Sequence, residues 1–314
     1  MQVIRTTDAI KDCIGNKRTA VALGAFDGLH IGHKAVIERT LHSGFMPVVF
    51  TFWDNPAEKL SGTCKYLTTP EERIRILESW GVEAIVMPNF ADVADWSVEQ
   101  FLNMLRDDLC AAELSSGEDF SFGKYAAGNT KILGAFCAQE GITLHLTPPV
   151  LYDGERVSAT RIRAAMESGA IEAANAMLGR PFGFAFEVVP GNRLGRTIGI
   201  PTINQAFPKA FILPRFGVYA SAVHVDGEVF CGVTNVGVKP TVGSDHALSE
   251  TWIPEFSGDL YGRTLRLELL GFIRDERKFA NLEELRGVIH ENAVTAKEIF
   301  SAYMGDKKDS AVTV

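Results

Sequence analysis

Two histidines three positions apart lie among closely spaced glycines in the segment 21–34, which reads V-A-L-G-A-F-D-G-L-H-I-G-H-K. Imidazoles can donate hydrogen bonds to phosphate oxygens. Gly32, between His30 and His33, would let a bulky triphosphate approach the backbone closely. The His-x-x-His spacing alone also allows a structural glycine turn or a two-histidine metal site.

The elements around these histidines favour the phosphate interpretation. Residues 21–23 form a short apolar run that predicts a buried strand, and a helix is predicted to begin near Gly32. Gly24 and Gly28 break the chain between the two elements. A strand, a glycine turn and a helix start present backbone N–H groups and the positive end of a helix to an anion. We therefore expect a phosphate site here.

A second cluster suited to anions lies at 157–163, which reads V-S-A-T-R-I-R. Ser158 is a candidate N-cap, so Thr160, Arg161 and Arg163 crowd one helix start. Hydroxyl donors, guanidinium groups and the helix dipole would then act on one anion. A pair of solvated arginines on a capped helix is the alternative.

The second half carries a different kind of chemistry. Residues 191–204 read G-N-R-L-G-R-T-I-G-I-P-T-I-N, and we expect Gly191, Gly195 and Gly199 to form a mobile flap over phosphates. Thr202 and Asn204 are two residues apart and project from the same side of a predicted strand. Their oxygens are suited to a hydrated Mg²⁺ that carries phosphates. Since the chain contains no G-x-x-x-x-G-K-[ST] segment, it is not a P-loop kinase.

Length, composition and net charge limit the possible classes of protein. The 314 residues suggest two domains, and 46% hydrophobic with 22% charged residues indicates a folded chain. A formal charge of −8 argues against a dedicated nucleic-acid or anionic-membrane binder. The five cysteines form no C-x-x-C pair, which favours reduced thiols. With no leader-like opening and no apolar run near the roughly 20 residues of a membrane span, we expect a cytoplasmic protein.

The first half alternates strands with helices. Thr69 with Glu72 and Ser97 with Gln100 have the spacing of N-terminal capping boxes, and a helix is predicted over 130–140. Alternation of this kind implies a parallel sheet with helices on both faces. We predict a Rossmann-like α/β domain over residues 1–182.

After Arg180-Pro181 the pattern changes to strands and turns. Two strand-like runs around Asp226-Gly227 predict a hairpin, and 282–303 predicts a long helix capped by Asn281. We predict an antiparallel β-barrel with a C-terminal helix over 183–306, followed by a frayed polar tail, 307–314.

Several segments, in this order, resemble the prokaryotic bifunctional riboflavin kinase/FAD synthetases, over about residues 20 to 300. The histidine segment resembles the G-x-F-D-G-x-H-x-G-H signature of the HxGH nucleotidyltransferases. The further matches are E-D-F-S-F-G (118–123), S-A-T-R-I-R (158–163), L-G-R-P-F (178–182), P-T-I-N (201–204), N-V-G-V-K-P-T (235–241) and the segment 250–262, which begins E-T-W.

The resemblance implies an enzyme that phosphorylates riboflavin with Mg-ATP to give FMN and then transfers AMP from ATP to FMN. FAD and pyrophosphate would be the products, with FAD passed on to apo-flavoproteins. It implies that His30, His33 and Glu250 are catalytic, with Glu250 as general base toward the riboflavin 5′-hydroxyl. The resemblance also implies that Phe26 and Asp27 contact ATP and that residues 158–163 bind its β- and γ-phosphates. Thr202 and Asn204 would bind the Mg²⁺.

The same resemblance places Asp119, Phe120 and Phe122 beside the flavin. Taken alone, the two phenylalanines would be core residues and Glu250 a surface charge.

Three departures from the family pattern bear on activity. The usual aromatic-acid-His-Pro segment is Trp53-Asp54-Asn55-Pro56, the middle serine of 158–160 is Ala159, and Trp252 replaces a histidine. They leave open the alternative that the protein is a riboflavin kinase in which the activity of the adenylyltransferase half has weakened. A non-catalytic flavin-binding regulator or carrier is an alternative from another class, and a cytidylyltransferase would leave the barrel unexplained.

Overall fold

The computed structural model describes residues 1–56, 62, 65–191, 195, 199–241 and 244–312. The chain forms two compact units, Met1–Ala159 and Thr160–Val314. In the described part of the chain, no helix combines the length and apolarity that a membrane crossing needs.

The first unit is built on a six-stranded parallel sheet with the order β1-β4-β3-β2-β5-β8. Its strands are β1 (Gln2–Ile4), β2 (Thr19–Leu23), β3 (Met46–Phe50), β4 (Ala84–Val86), β5 (Ala111–Gly117) and β8 (Thr143–Thr147). Two short antiparallel pairs lie outside it: β6 (Ser121–Phe122) with β7 (Gly128–Asn129), and β9 (Leu151–Tyr152) with β10 (Glu155–Arg156).

Helices cover both faces of this sheet, as the strand–helix alternation predicts. They are α1 (Ile10–Ile14), α2 (Ile31–Leu41), α3 (Pro70–Ser79), α4 (Phe90–Val93), α5 (Val98–Asn103) and α6 (Thr130–Glu140), with short helical turns at Thr7–Ala9, Met104–Asp108 and Lys124–Ala126. All five residues of β2 are buried. Val21 and Leu23 belong to one core cluster and Ala22 to another, because successive strand residues face opposite sides.

The predicted helix starts are confirmed. The Thr69 hydroxyl accepts from the Glu72 backbone N–H, and Ser97 with Gln100 forms both halves of a capping box. The chain order gives the sheet a switch point: from β2 the chain adds β3 and then β4 on one side, and then returns to place β5 on the other side of β2. Ligands of open α/β sheets bind at the carboxyl ends of the strands beside such a point.

The second unit is a closed antiparallel barrel with the order β11-β12-β15-β14-β13-β16. Its strands are β11 (Phe182–Val189), β12 (Thr202–Ala206), β13 (Gly217–Val225), β14 (Glu228–Thr241), β15 (Ser244–Trp252) and β16 (Thr264–Arg274). The predicted hairpin is β13–β14, and its turn residues Asp226 and Gly227 both have positive φ, 52° and 85°. That geometry matches the right-handed twist of the strands.

Two helices precede the barrel in the chain, α7 (Ala159–Ser168) and α8 (Ile171–Leu178). Both belong to the second unit except for Ala159, the first residue of α7, which is the last residue of the first unit. Asn175 of α8 donates to the Leu269 carbonyl and accepts from the Phe182 N–H. The compact units therefore divide after Ala159, whereas the functional boundary predicted at 182/183 stays a prediction.

The C-terminal helix α9 (Leu282–Val312) begins where the sequence predicts, with the Asn281 side chain accepting from the Glu284 N–H at 2.9 Å. The helix continues to Val312, so residues 307–312 of the predicted tail are helical, and fraying of this end stays a prediction. No proline interrupts 304–312 and a single glycine does not stop a helix.

Candidate functional site

The two histidines lie at the start of α2, as predicted. His30 is the N-cap, and its Nδ1 accepts from the His33 backbone N–H at 3.2 Å. The two rings stack with centroids 3.6 Å apart, and the Phe26 ring meets His33 edge-on at 5.3 Å. Because Nδ1 of His30 is an acceptor, a neutral His30 ring carries its proton on Nε2, which can then donate to a phosphate oxygen.

The turn between β2 and α2 is strained. Phe26 and Leu29 are not glycines, yet their φ values are 49° and 45°. Each such residue costs on the order of 1–3 kcal/mol and persists only where the surroundings over-determine it. Gly28 also has positive φ, and a Cβ there would lie 2.7 Å from the Leu67 side chain. The turn is thus held in a conformation that the chain would not adopt by itself.

Neighbouring segments supply the restraint on this turn. The Asp27 carboxylate accepts from the Leu67 N–H at 3.0 Å, and the Gly28 N–H donates to the Thr68 hydroxyl at 3.3 Å. The structure therefore brings the predicted contacts between 24 and 33 together, at the carboxyl end of β2 and beside the switch point.

The loop after β5 lies at the same edge of the sheet, because β5 runs parallel to β2. Phe122 is buried and its ring packs 4.8 Å from Phe101, so this side chain belongs to the core. Phe120 is half-buried and stacks on Phe122 at 5.7 Å. Asp119 is exposed and pairs with Arg156. The structure thus assigns Phe122 the packing role that the sequence left as an alternative, and its part in flavin binding stays a prediction.

In the second unit, α7 begins at Ala159, which puts Ser158 at the predicted N-cap position. Thr160 is exposed, and Arg161 and Arg163 are both half-buried. Residues two positions apart lie on different sides of a helix. Both arginines can serve one anion only if it lies near the N-terminal end of the helix axis.

The barrel aligns the other predicted residues through strand register. Asn204 of β12 is paired with Glu250 of β15, and Glu250 is paired on its other side with Asn235 of β14. Directly paired residues of an antiparallel ladder share a face of the sheet. Thr202, two residues before Asn204, is paired with Trp252 and shares that face. The predicted metal ligands and the predicted base are therefore neighbours, although about 45 residues separate them in the chain.

Two further residues, Asn235 on this face and its partner Glu276, had no role predicted from the sequence. The Asn235 amide donates to Glu276 Oε1 at 3.0 Å, and a Cβ on Gly237 would overlap that same oxygen. Asn235 belongs to the N-V-G-V-K-P-T segment, so the match of this segment to the family could have indicated a role for Asn235. Glu276 follows β16 and could be found only from the folded barrel.

A buried row of hydroxyls lies one residue away from this face. Ser221 and Thr234 are 2.7 Å apart, Thr234 and Thr251 are 2.8 Å apart, and all three are buried. A slip of one residue would turn every side chain of a strand to the other face. Such a slip of β15 would turn Glu250 to the face where Thr251 now lies and would break the hydrogen bonds between the hydroxyls. These bonds therefore stabilise the register that is observed.

The predicted flap falls partly outside the described residues, which omit 192–194 and 196–198. A Cβ at Gly191 would lie 2.5 Å from Asn204 Nδ2, so the backbone there approaches the predicted metal ligand closely. The Gly195 carbonyl accepts from the Ile200 N–H at 2.8 Å, and Gly199 has a φ of 75°. Mobility of the segment stays a prediction.

The departures from the family pattern have defined surroundings. Asn55 is buried, and the Trp53 ring lies under the Arg5 guanidinium at 3.5 Å. Trp252 meets His290 of α9 edge-on at 5.3 Å. Among the described residues, no group of three or more His, Cys, Asp or Glu side chains could hold a metal ion. Thr202 and Asn204 would instead offer two neutral oxygens to a cation that keeps water and phosphate ligands.

These features define a nucleotide-dependent transferase with two units. One unit has a strained glycine–histidine turn at a switch point, and the other is a barrel with a face that carries Thr, Asn and Glu. The model of the FAD synthetase family matches residues 14–161, and the model of the riboflavin kinase family matches 178–300.

Relatives match over nearly the whole chain. A protein of Bacillus subtilis (strain 168) named bifunctional riboflavin kinase/FMN adenylyltransferase is 33% identical, over 90% of this chain and 93% of that one. A protein of Escherichia coli (strain K12) with the same name is 32% identical, over 89% and 92%. The chain belongs to the bifunctional riboflavin kinase/FMN adenylyltransferase family, which confirms the resemblance seen in its motifs.

One solved structure is also similar throughout. It is described as a macrolide-efflux protein from Streptococcus pneumoniae and superposes with a TM-score of 0.84 at 27% identity. The match covers 95% of this chain and 99% of the other. It confirms the predicted fold class, a parallel α/β unit followed by an antiparallel barrel.

Proposed function

We propose that this chain makes FMN from riboflavin and ATP in its barrel, and FAD from FMN and ATP in its α/β unit. The first reaction moves the γ-phosphoryl group of ATP to the ribityl 5′-oxygen and releases ADP. The second joins the FMN phosphate to the α-phosphate of ATP and releases pyrophosphate. We place the kinase function in 183–306 and the adenylyltransferase function in 1–182.

The pairing of Glu250 with both Asn204 and Asn235 is the observation that best supports the kinase half. Glu250 takes the proton of the 5′-hydroxyl as that oxygen attacks the γ-phosphate. Thr202 and Asn204 hold Mg²⁺, which when bound neutralises phosphate charge. Gly191 lets the backbone of the predicted flap approach the Asn204 amide closely, because a Cβ there would lie 2.5 Å from its nitrogen.

The stacked histidine pair supports the adenylyltransferase half. His30 and His33 donate to the phosphates of ATP, and the N–H groups at the start of α2 add to the same field. Gly24, Phe26, Asp27, Gly28 and Gly32 form the turn that receives the nucleotide. The α7 start, with Ser158, Thr160, Arg161 and Arg163, binds the phosphates that leave as pyrophosphate. Asp119, Phe120 and Phe122 border the flavin.

The wider setting follows from these reactions. ATP and flavins are soluble metabolites, so the enzyme works in the cytoplasm without nucleic acid or membrane, and its FAD goes to apo-flavoproteins. Neither reaction requires a covalent intermediate, so catalysis consists of positioning and charge neutralisation.

Chromatography of the products tests this function. The protein is incubated with Mg-ATP and either riboflavin or FMN, and each sample is repeated with EDTA. We expect FMN and FAD from riboflavin, FAD from FMN, and neither product with EDTA. FMN without FAD would instead identify a kinase with a weakened second half, and binding without any product would identify a flavin carrier.

A further inference from the structure

A buried arginine lies beneath the nucleotide turn. Arg73, in the first turns of α3, is only 5% exposed. Its Nη2 donates to the Trp53 carbonyl at 2.7 Å, and its Nη1 reaches the Ala25 carbonyl at 3.5 Å. Trp53 follows β3 and Ala25 follows β2, so one guanidinium joins the loops that leave the carboxyl ends of two adjacent strands.

The Ala25 carbonyl has a second donor. The buried Thr51 hydroxyl donates to it at 2.8 Å. Thr51 is itself the first residue after β3, and its backbone N–H donates to the Val86 carbonyl at 2.9 Å. The carbonyl that begins the strained turn is thus contacted by two side chains, Thr51 directly after β3 and Arg73 in α3.

Burial disfavours the positive charge of Arg73. Burial lowers the pKa of Arg73, against the opposing effect of the nearby carboxylates of Asp27, Asp54 and Glu71. Within the described part of the chain, Nε of Arg73 is buried without a hydrogen-bond acceptor. A buried charge with an unmet donor is unfavourable for folding, and such groups concentrate where function requires them.

The turn that Arg73 touches is the one that needs restraint. Phe26 and Leu29 have left-handed backbone conformations, and Phe26 directly follows Ala25. Strain of this kind persists only when surrounding contacts impose it. Fixing the carbonyl of residue 25 restricts the rotation that would let Phe26 relax.

We propose that Arg73 is a positioning residue for adenylyl transfer. Together with Thr51 it holds the turn 24–29 in the conformation that accepts ATP before ATP arrives. This role rests on the proposed adenylyltransferase function. Without the restraint the turn populates relaxed conformations, and ATP must spend binding free energy to restore the competent one.

The test compares Arg73→Met with Thr51→Val, assaying FMN-to-FAD and riboflavin-to-FMN conversion on each preparation. We expect kcat/KM for ATP in FAD formation to fall about 10- to 100-fold in Arg73→Met, most of it as a raised KM. Riboflavin phosphorylation stays at the wild-type rate. Arg73→Lys, which keeps the charge and one donor, recovers part of the loss.

Two controls match these variants. Arg39→Met removes an arginine from an exposed position of α2 and leaves FAD formation unchanged. Thr51→Ser keeps the hydroxyl and retains most activity. The double variant Arg73→Met/Thr51→Val loses less than the product of the two single effects, because both residues act on one carbonyl.

The outcomes separate the possibilities. Wild-type protein that makes no FAD overturns the proposed function itself. Active wild type with unchanged KM and kcat in both single variants overturns the positioning role. A lowered melting temperature with an unchanged KM for ATP in the folded fraction also overturns it, since that is a structural effect alone. Should Arg73→Met fail to fold, Arg73→Lys and Thr51→Val decide by the same KM criterion.

Discussion

The two candidate sites are built in opposite ways. Ten consecutive residues, 24–33, supply the turn of the α/β unit, whereas the barrel site takes residues from β12, β14 and β15. The turn is strained and held by segments around it, while the barrel face is held by strand register and a buried row of hydroxyls. A site made of consecutive residues can be recognised from their spacing in the sequence. A site whose residues come from several strands can be recognised only when the pairing of those strands is known.

The difference predicts that the two functions can be separated by cutting the chain. Residues 183–314 alone should fold and make FMN but no FAD, because the kinase motifs all follow Phe182. A fragment 160–314 should make FMN as well and unfold at higher urea concentration, since it keeps the Asn175 bonds to Leu269 and Phe182. Activity assays and urea titration of both fragments check this. FAD formation by either fragment would contradict the division.

Within the barrel, Glu250→Gln should give the largest effect of a single residue. The amide keeps the size of the side chain but takes no proton, so riboflavin phosphorylation should fall by roughly 10²–10⁴. Conversion of supplied FMN to FAD should continue. Paired assays on one preparation measure both rates, with the exposed Glu255→Gln as the matched control. Near-normal phosphorylation would remove Glu250 as the base, and equal loss of both reactions would indicate misfolding.

The turn should respond in the complementary way. His30→Ala and His33→Ala should each lower FAD formation by about 10²–10³, the usual effect of removing a preorganised donor, and spare FMN formation. His42→Ala, at the other end of α2, is the control because this histidine is exposed and its ring bonds to the Glu38 carbonyl of the same helix. Unchanged FAD synthesis in either variant would exclude that histidine from the site.

The smallest effect concerns the stability of the barrel under acid. Burial works to raise the pKa of Glu268, but hydrogen bonds from His224 and Arg266 outweigh it and hold the pKa well below its usual range. The stabilisation is therefore present above the pKa of an unfolded glutamate and is lost as the pH falls below it.

Urea titration of the 160–314 fragment at pH 7, 5 and 4 measures this linkage. The midpoint should drop between pH 5 and 4, and Glu268→Gln should be less stable at pH 7 with a flatter dependence on pH. Identical slopes in both proteins would assign the acid sensitivity to other carboxylates. FAD formation by full-length Glu268→Gln should stay unchanged at pH 7.

Much of the α/β unit could be predicted from the sequence because its signals are local. Thr69 and Ser97 cap helices as expected, and His30 begins α2, since cap bonds join residues three apart. The chain end is helical to Val312, which its polar composition did not indicate, because a run without proline can continue a helix. Phe122 lies in the core and its ring packs against Phe101, a contact that depends on the tertiary structure.

Sequence alone predicts the order of the motifs, the class of both units and the residues of the histidine turn, because each of these depends on neighbours within a few positions. Tertiary structure alone decided that Asn204, Glu250 and Asn235 share one row, since register depends on how distant strands pair. It alone decided that Arg73 and Thr51 converge on the Ala25 carbonyl. Thr51 lies 26 positions and Arg73 lies 48 positions from Ala25. The pairing of β2 with β3 and the position of α3 bring both side chains to the same atom.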